Sequence, residues 1–302
     1  MNRYLLVGVS LVAAVVVNVS SELRSQALER SLYVNMLDKS GAPVPSMGPS
    51  DFIVREDNVA REVLRVVPAS EPMQIAILVD NSTAAGPMIP HIRRALPPFV
   101  DAMAMPNAAG RRNEIALVTL AARPTILAEY TTDPEPLKKA TDRVWEDAVM
   151  QGYYLLNGII EITQGFRVRE APRPVIVAII TEGPELSNRD PTRVLNPLRD
   201  SGAALHVVTL GPPASGVEDD VIYRNRVVDE GPRISGGTRS QLLAPSALPA
   251  KLLQLADVLK STYRVTYAHP DSLIPPERVT VAARSADLTA HGRLVRESQA
   301  KQ

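Results

Sequence analysis

Three stretches of uninterrupted apolar residues restrict the folds open to this 302-residue chain. They are QIAILV at 74–79, PVIVAII at 174–180 and ALHVVTL at 204–210. A strand with one solvated face alternates apolar and polar residues, whereas a continuous apolar run indicates a strand covered on both faces, as in a parallel sheet between helices. Helical patterns separate these runs. The sequence therefore predicts a doubly wound α/β domain with a mostly parallel sheet over roughly residues 72–262.

Segments with the texture of β-strands lie on both sides of this region. Residues 32–37 and 52–68 precede it, and residues 263–293 follow it. The pair Asp57-Asn58 is typical of a tight turn between two strands. Neither group is long enough to form a good core alone. We therefore expect the N-terminal and C-terminal strands to pair into one small β subdomain.

The first 27 residues have the pattern of a targeting segment. After Arg3, an apolar run extends from Leu5 to Val17 and is broken only by Gly8 and Ser10. The run has the length of a signal-peptide core and is shorter than the roughly 18 residues of a membrane-spanning helix. We expect export, with the segment either removed or retained as a membrane anchor. The chain then divides into a leader at 1–27, N-terminal strands at 28–71, the α/β domain at 72–262, and C-terminal strands with a tail at 263–302.

Composition argues against several classes of function. The chain has no cysteine, which excludes disulfides, thiolate metal sites and cysteine nucleophiles. Lys plus Arg and Asp plus Glu both number 33, and acidic residues separate the basic clusters at 93–94, 111–112 and 224–226. We therefore expect solvated faces there and no nucleic-acid partner. The G-x-S-x-G, P-loop, G-x-G-x-x-G and H-E-x-x-H motifs are absent, so we expect no enzymatic activity.

Polar side chains follow two of the apolar runs. DNSTA at 80–84 follows the first run, and TEGPELS at 181–187 follows the second. In open α/β sheets, ligands bind outside the carboxyl ends of the strands, and both segments belong to that edge. Aspartate and serine after a buried strand are also ordinary turn residues that bond backbone amides. Both interpretations remain open from the residues alone.

With these two segments, the chain resembles the von Willebrand factor type A (VWFA) domain. The resemblance is strongest to the VWFA-related proteins of Acidobacteria and covers most of the chain after the leader. It includes VNMLDKSGAPVPSMGPSDFIVREDNVAREV before the domain and STYRVTY with RVTVAAR after it. The resemblance implies a Rossmann-like sheet in an exported bacterial protein that is periplasmic, secreted or membrane-anchored. It also implies protein binding or adhesion as the function.

The resemblance further implies a metal-ion-dependent adhesion site (MIDAS). In this family the site consists of Asp-x-Ser-x-Ser after the first strand, a later threonine, and an aspartate after the fourth strand, which suits a hard cation with six oxygen ligands. Asp80 and Ser82 match two positions, and Glu182 replaces the final aspartate. Ala84 replaces the last serine and Tyr153 the threonine. The implied site is therefore degenerate, with Asp80, Ser82 and Glu182 as the ligands of any Mg²⁺ or Mn²⁺.

The sequence thus predicts a module that binds another protein through its strand ends. Tyr153 and Tyr154 in place of a metal ligand could turn an ion-mediated contact into direct packing, although both also suit a buried helix. The polar segment 212–236 is expected to be a partly helical loop that adds specificity. A structural role in an envelope complex without metal, or a role in loading metals or cofactors into enzymes, is the alternative. The predicted partner-binding residues are Asn81, Thr83, Tyr153, Tyr154 and Glu185.

Overall fold

A computed structural model describes residues 28–144, 152–213, 216, 218–271 and 274–296. The predicted leader at 1–27 lies outside these ranges. Within them, no helix has the length and apolar character needed to cross a membrane. The elements, in chain order, are β1 (Leu28–Leu37), β2 (Phe52–Glu56), β3 (Val59–Arg61), β4 (Val63–Pro68), β5 (Gln74–Val79), α1 (Ile89–Ala104), β6 (Glu114–Thr119), β7 (Thr125–Thr131), α2 (Pro134–Thr141), α3 (Leu155–Val168), β8 (Pro174–Thr181), α4 (Thr192–Ser201), β9 (Ala204–Leu210), α5 (Asp219–Ser235), β10 (Arg239–Leu242), α6 (Leu248–Lys260), β11 (Tyr263–His269), β12 (Val279–Ala283) and β13 (Thr289–Leu294).

The three apolar runs form the centre of a six-stranded sheet with the order β10-β9-β8-β5-β6-β7. Counted from β5 along the chain, this is the order 3-2-1-4-5-6 of doubly wound sheets. All neighbouring pairs are parallel except β6 and β7. In the register, Leu78 of β5 lies between Val118 of β6 and Ala178 of β8. The predicted fold class is confirmed.

Both faces of this sheet carry a hydrophobic core, which explains the uninterrupted apolar runs. Every residue of β5, β8 and β9 is buried. Helices α1, α2 and α6 cover one face, and α3, α4 and α5 cover the other. Alternate residues of one strand serve the two cores, since Ile77 faces the first and Leu78 the second. The sheet is thereby a rigid platform whose ends hold the connecting loops.

The flanking strands form two antiparallel sheets, with orders β13-β1-β11-β4 and β12-β2-β3. As predicted, strands from both ends of the chain pair, for example Leu32 with Val265. Asp57 and Asn58 have positive φ angles of 47° and 68°, which fits the predicted turn between β2 and β3. A third hydrophobic core includes residues of both sheets. The assignment of 28–71 and 263–302 as separate domains stays a prediction.

The helix α5 is longer than the sequence suggested for segment 212–236. It runs for 17 residues and ends at Gly236, whose φ of 71° gives the left-handed conformation common after helices. Asp219 and Asp220 lie in its first turn, where carboxylates interact favourably with the helix dipole. Its position against the sheet is fixed by the buried Val227 and Val228. A stable helix therefore follows β9 at the edge where ligands bind.

Two buried arginines join the flanking sheet to the α/β body. The guanidinium carbons of Arg173 and Arg293 lie 5.4 and 5.2 Å from the ring centre of Tyr33 in β1. Arg173 also donates to the Leu259 carbonyl, and Arg293 donates to the Gly202 carbonyl. Burial lowers the pKa of Arg293 to about 9 and that of Arg173 to about 10. The Tyr33 ring offsets part of this desolvation because its face attracts cations.

Replacing Tyr33 with leucine is expected to lower the free energy of unfolding by about 2–4 kcal/mol, since two desolvated cation–π contacts are lost together. Tyr130, which has one such contact with the exposed Arg169, supplies the matched variant Tyr130→Leu. Urea unfolding of both variants measures the difference. Equal losses in the two variants would contradict the role assigned to Tyr33.

Candidate functional site

The candidate site lies between the carboxyl ends of β5 and β8. These strands are neighbours, although the connection from β5 leads to β6 on the other side, so the chain reverses its winding here. Such a switch point opens a crevice between the loops of adjacent strands. Asp80 follows β5, and Glu182 follows β8. The two predicted polar segments are therefore brought together.

Asp80 is fully buried and is held by residues of both loops. Its Oδ2 accepts a 2.5 Å hydrogen bond from the Thr181 hydroxyl and a 3.2 Å bond from the Thr181 amide. Its Oδ1 accepts from the Ser82 amide at 2.9 Å. Three donors thus compensate a charge that would otherwise be costly to bury. Thr181 was not singled out from the sequence, although a hydroxyl at the end of the strand beside Asp80 was a signal for it.

Asn81 connects the loop after β5 to the end of β6, the neighbouring strand on the other side. Its Oδ1 accepts from the amides of Leu120 and Ala121, at 3.2 and 2.9 Å, just past the end of β6. The Leu120 carbonyl in turn accepts from the Tyr154 amide at 2.8 Å. The Asn81 side chain is buried and therefore supports the edge instead of forming its surface.

Glu182 is paired with a buried arginine from α5. Arg224 Nη2 donates to Glu182 Oε2 at 2.7 Å, and Arg224 Nη1 donates to the Gly183 carbonyl at 3.3 Å. The Asn225 Oδ1 accepts from the same guanidinium at 2.8 and 3.2 Å. The second carboxylate oxygen of Glu182 accepts from Gln241 Nε2 at 3.2 Å. Both oxygens of Glu182 are therefore engaged within the chain.

The burial of Arg224 corrects the expectation of a solvated face at 224–226. Arg224 is 3% exposed, whereas Arg226 is half exposed and pairs with Glu230. A signal for this was present in the sequence, because Arg224 shares one helical face with Val227, Val228 and Gly231, at spacings of three, four and seven residues. All four are buried. The charge of the arginine obscured its place in an apolar stripe.

Tyr153 is buried below the sheet edge, and its backbone forms hydrogen bonds with the loop after β8. Its amide donates to the Pro184 carbonyl at 3.0 Å, and its carbonyl accepts from the Leu186 amide at 2.8 Å. Its hydroxyl donates to the Thr181 carbonyl at 2.9 Å. Burial raises the pKa of the Tyr153 hydroxyl, which stays protonated. Tyr153 is fully buried, so it supports the edge and makes no surface of its own.

Glu185 and Ser187 cap the start of α3 from the same loop. Glu185 Oε1 accepts from the Leu156 amide at 3.2 Å and from the Ser187 hydroxyl at 2.5 Å. The Ser187 hydroxyl accepts from the Asn157 amide at 3.1 Å. These amides are among the unpaired donors of a helix start, where a carboxylate is favoured. Burial raises the pKa of Glu185 above its ordinary value, while the hydrogen bonds oppose this rise.

The residues present do not fit a MIDAS cation. One observation favours an ion, since the buried Ser82 hydroxyl has no hydrogen-bond partner within the described part of the chain. Against it, Asp80 is satisfied by three donors and Glu182 by Arg224 and Gln241. Ala84 offers no oxygen, and the described residues include no group of three acidic, histidine or cysteine side chains able to hold a metal. The Mg²⁺ or Mn²⁺ assignment stays a prediction from the sequence.

The exposed part of this edge includes several apolar side chains. Thr83 is exposed and Tyr154 is half buried, so two of the five predicted contact residues reach the surface. Three large apolar side chains that the sequence analysis missed are exposed nearby: Leu186 after β8, Ile222 in the first turns of α5, and Leu243 after β10. Their exposure is 37%, 47% and 71%. The strands that lead to them, β8, β9 and β10, are neighbours in the sheet.

Comparison with family models and with curated proteins finds no match. Among solved structures, proximal thread matrix protein 1 from the mussel byssus is 17% identical with a TM-score of 0.49, over 68% of this chain and 50% of that one. The chain thus spans half the length of the mussel protein. Another structure of that protein, 14% identical with a TM-score of 0.47 over 71% and 50% of the two chains, has a zinc-occupied MIDAS motif.

Two bacterial VWFA domains are also similar to the chain. The vWF domain of the type V pili tip protein Mfa5 from Porphyromonas gingivalis is 11% identical with a TM-score of 0.48, over 63% of this chain and 96% of that one. The von Willebrand factor type A structure from Catenulispora acidiphila is 12% identical with a TM-score of 0.47, over 91% and 74%. The fold assignment of this chain itself rests on the strand order described above.

Replacing Thr181 with valine removes the hydroxyl that bonds Asp80 and preserves the shape of the side chain. We expect a loss of about 1.5–3 kcal/mol in the free energy of unfolding, the range for a hydrogen bond to a charged group. Thr181→Ser, which keeps the hydroxyl, is the control. Urea unfolding tests the pair, and a Thr181→Val variant as stable as Thr181→Ser would show that the bond contributes nothing.

The raised pKa of Glu185 gives a prediction for pH dependence. The folded state holds this proton more tightly than the unfolded chain, so the contribution of Glu185 is most favourable below the ordinary value of 4.5. It is lost as the pH rises through the raised pKa. The stability of the wild type relative to Glu185→Gln should therefore fall as the pH rises above 4.5.

Chemical unfolding at several pH values measures this difference. The exposed Glu277 supplies the control variant Glu277→Gln, for which no such trend is expected. The interpretation fails if the two variants show the same pH trend, or if the stability of the wild type relative to Glu185→Gln rises with pH.

Proposed function

We propose that this chain is an exported bacterial protein, related to the VWFA-related proteins of Acidobacteria, that binds another protein through the carboxyl edge of its α/β sheet. The site is a degenerate MIDAS in which direct contact replaces coordination. The partner docks on Leu186, Ile222 and Leu243, with Thr83 and Tyr154 beside them. The protein has no catalytic role in this proposal.

The observation that carries the proposal is the exposure of three large apolar side chains above a buried polar network. Apolar side chains at the centre of an interface supply much of its binding free energy, while polar groups underneath fix their positions. Leu186 is held through its backbone by Tyr153, and Ile222 lies one helical turn or less from Arg224. Both side chains therefore stand on a fixed support, which lowers the entropy lost on binding.

The polar groups of the edge support a non-catalytic role. A serine nucleophile needs a base within hydrogen-bond reach, and Ser82 has no partner for its hydroxyl among the described residues. Asp80, Glu182 and Glu185 accept hydrogen bonds from fixed donors and are therefore poor proton acceptors for a substrate. Their arrangement is better suited to holding the surface residues in position than to acid–base catalysis.

A second candidate function is a structural role in an envelope complex, favoured by the open strand β4. In its sheet β4 is an edge strand, and among the described residues it pairs only with β11. Leu64 and Val67 of this strand are exposed. An exposed apolar edge strand can pair with a strand of another chain. In this alternative the contact is made by the flanking sheet and not by the strand ends.

Site-specific photo-crosslinking distinguishes the two candidates. A photoreactive amino acid is placed at position 186 or 222, at position 64 of β4, or at the control position 168 at the far end of α3. Val168 is 85% exposed, and a partner bound at either surface would not cover it. In envelope extract of the source bacterium, we expect the same adduct from positions 186 and 222 and none from position 168.

Binding of the cross-linked partner, once isolated, then provides the quantitative test. Leu186→Asp with Ile222→Asp should weaken binding at least about tenfold, which corresponds to about 1.4 kcal/mol, because charges are placed in an apolar contact. Val168→Asp should leave binding unchanged. Adducts from position 64 alone, or equal binding by the edge and control variants, would favour the structural role and reject the edge.

A further inference from the structure

We infer that the Arg224 guanidinium stabilises the conformation of the sheet edge and thereby takes the place of a divalent metal ion. The inference goes beyond the proposed function, because it concerns the stability of the edge and needs no partner. It starts from the position of one buried guanidinium next to Glu182, the residue that stands where the resemblance implies the final metal ligand.

The guanidinium is bonded on several sides by groups of the edge. It donates to Glu182 Oε2, to the Gly183 carbonyl and to Asn225 Oδ1. Arg224 thereby links α5 to the loop after β8. Arginine suits this role because its planar fork offers five fixed donors.

A positive charge stabilises the carboxylates of this edge. Asp80 and Glu185 are buried, and Glu182 is only slightly exposed. The charge of Arg224 lowers the pKa of Glu185 and of the Tyr153 hydroxyl, in opposition to the larger effect of burial, so its field reaches both. Burying carboxylates is unfavourable unless a positive charge and hydrogen bonds accompany them. The guanidinium of Arg224 supplies that charge.

The same pairing competes with a metal ion. An ion bound to Glu182 would compete with Arg224 and Gln241 for the carboxylate oxygens and would be repelled by the buried guanidinium. Ala84 lies next to this place, because a Cβ atom built on Gly183 would be 3.0 Å from the Ala84 Cβ. Two features thus disfavour a metal ion at this edge. Residue 84 offers no oxygen ligand, and Arg224 already supplies a positive charge beside Glu182.

The test compares thermal unfolding of the full chain with Mg²⁺, Mn²⁺ or the chelator EDTA. For the wild type we expect the same Tm in all three conditions. Arg224→Gln should lower the Tm, whereas Arg226→Gln, on the same helix and half exposed, should not. Arg224→Lys should rescue part of the loss, since it keeps the charge and loses the fork. An Arg224→Gln variant as stable as Arg226→Gln would overturn the inference.

The converse experiment restores two of the three changed ligand positions, 84 and 182, and removes Arg224. In the triple variant Ala84→Ser, Glu182→Asp and Arg224→Gln, Mn²⁺ at about 100 times its Kd should raise the Tm by about 5–10 °C. Adding Asp80→Asn should abolish this rise. If the triple variant does not fold, Mn²⁺ binding to the wild type, measured by electron paramagnetic resonance, decides the question. Specific Mn²⁺ binding to the wild type that Asp80→Asn removes would overturn the inference.

Discussion

The burial of the Asp80 carboxylate is the constraint on which the site depends. The strand β5 lies inside the sheet and is covered on both faces, and Asp80, which directly follows it, is fully buried. A charge in that position needs donors from its neighbours. Thr181 provides two of them from the end of β8, at a sequence separation of 101 residues. The two loops are therefore fixed relative to each other before any partner binds.

The same principle extends outward from Asp80. Glu185 is buried against the start of α3, where backbone amides and Ser187 compensate it, and Glu182 is compensated by Arg224. Each of these three acidic side chains is thus bonded within the chain, and the surface proposed for a partner includes the exposed side chains of Leu186, Ile222 and Leu243. A MIDAS works in the opposite way, because an incompletely coordinated ion attracts an acidic residue of the partner. In the described part of this chain, the acidic side chains that the resemblance implies as metal ligands accept hydrogen bonds from donors of the chain itself.

Some features of the site could be predicted from the sequence, and others could not. The apolar runs at 74–79, 174–180 and 204–210 predicted a parallel sheet, and the sheet order places their ends together. The positions of Asp80 and Glu182 at that edge follow directly. The partner of Glu182 did not follow, because Arg224 was interpreted as part of a solvated basic cluster. Its helical spacing with Val227 and Val228 places it on the buried face of α5, which the charge of the residue does not reveal.

Tyr153 illustrates a different difficulty. Its replacement of a threonine was visible by resemblance, and both a contact role and a buried role were open. In the structure Tyr153 is buried, and an isolated β-bridge with Glu185 holds the loop after β8 against it. The neighbouring Gly152 fits this closure, since a Cβ atom there would lie 2.4 Å from the Pro184 carbonyl oxygen. Close approach of two backbone segments is a property of the folded chain and has no signature in a single segment.

The sequence by itself determined the fold class, the strands covered on both faces and the edge at which the polar residues gather. It did so because burial on one or both faces imprints a periodicity on each segment, independent of the rest of the chain. Only the tertiary structure decided which of the polar residues satisfy one another. Glu182 and Arg224 are 42 residues apart, and their pairing results from the packing of α5 against the sheet. Whether a carboxylate faces a metal, a partner or an arginine depends on such distant contacts, which local patterns do not record.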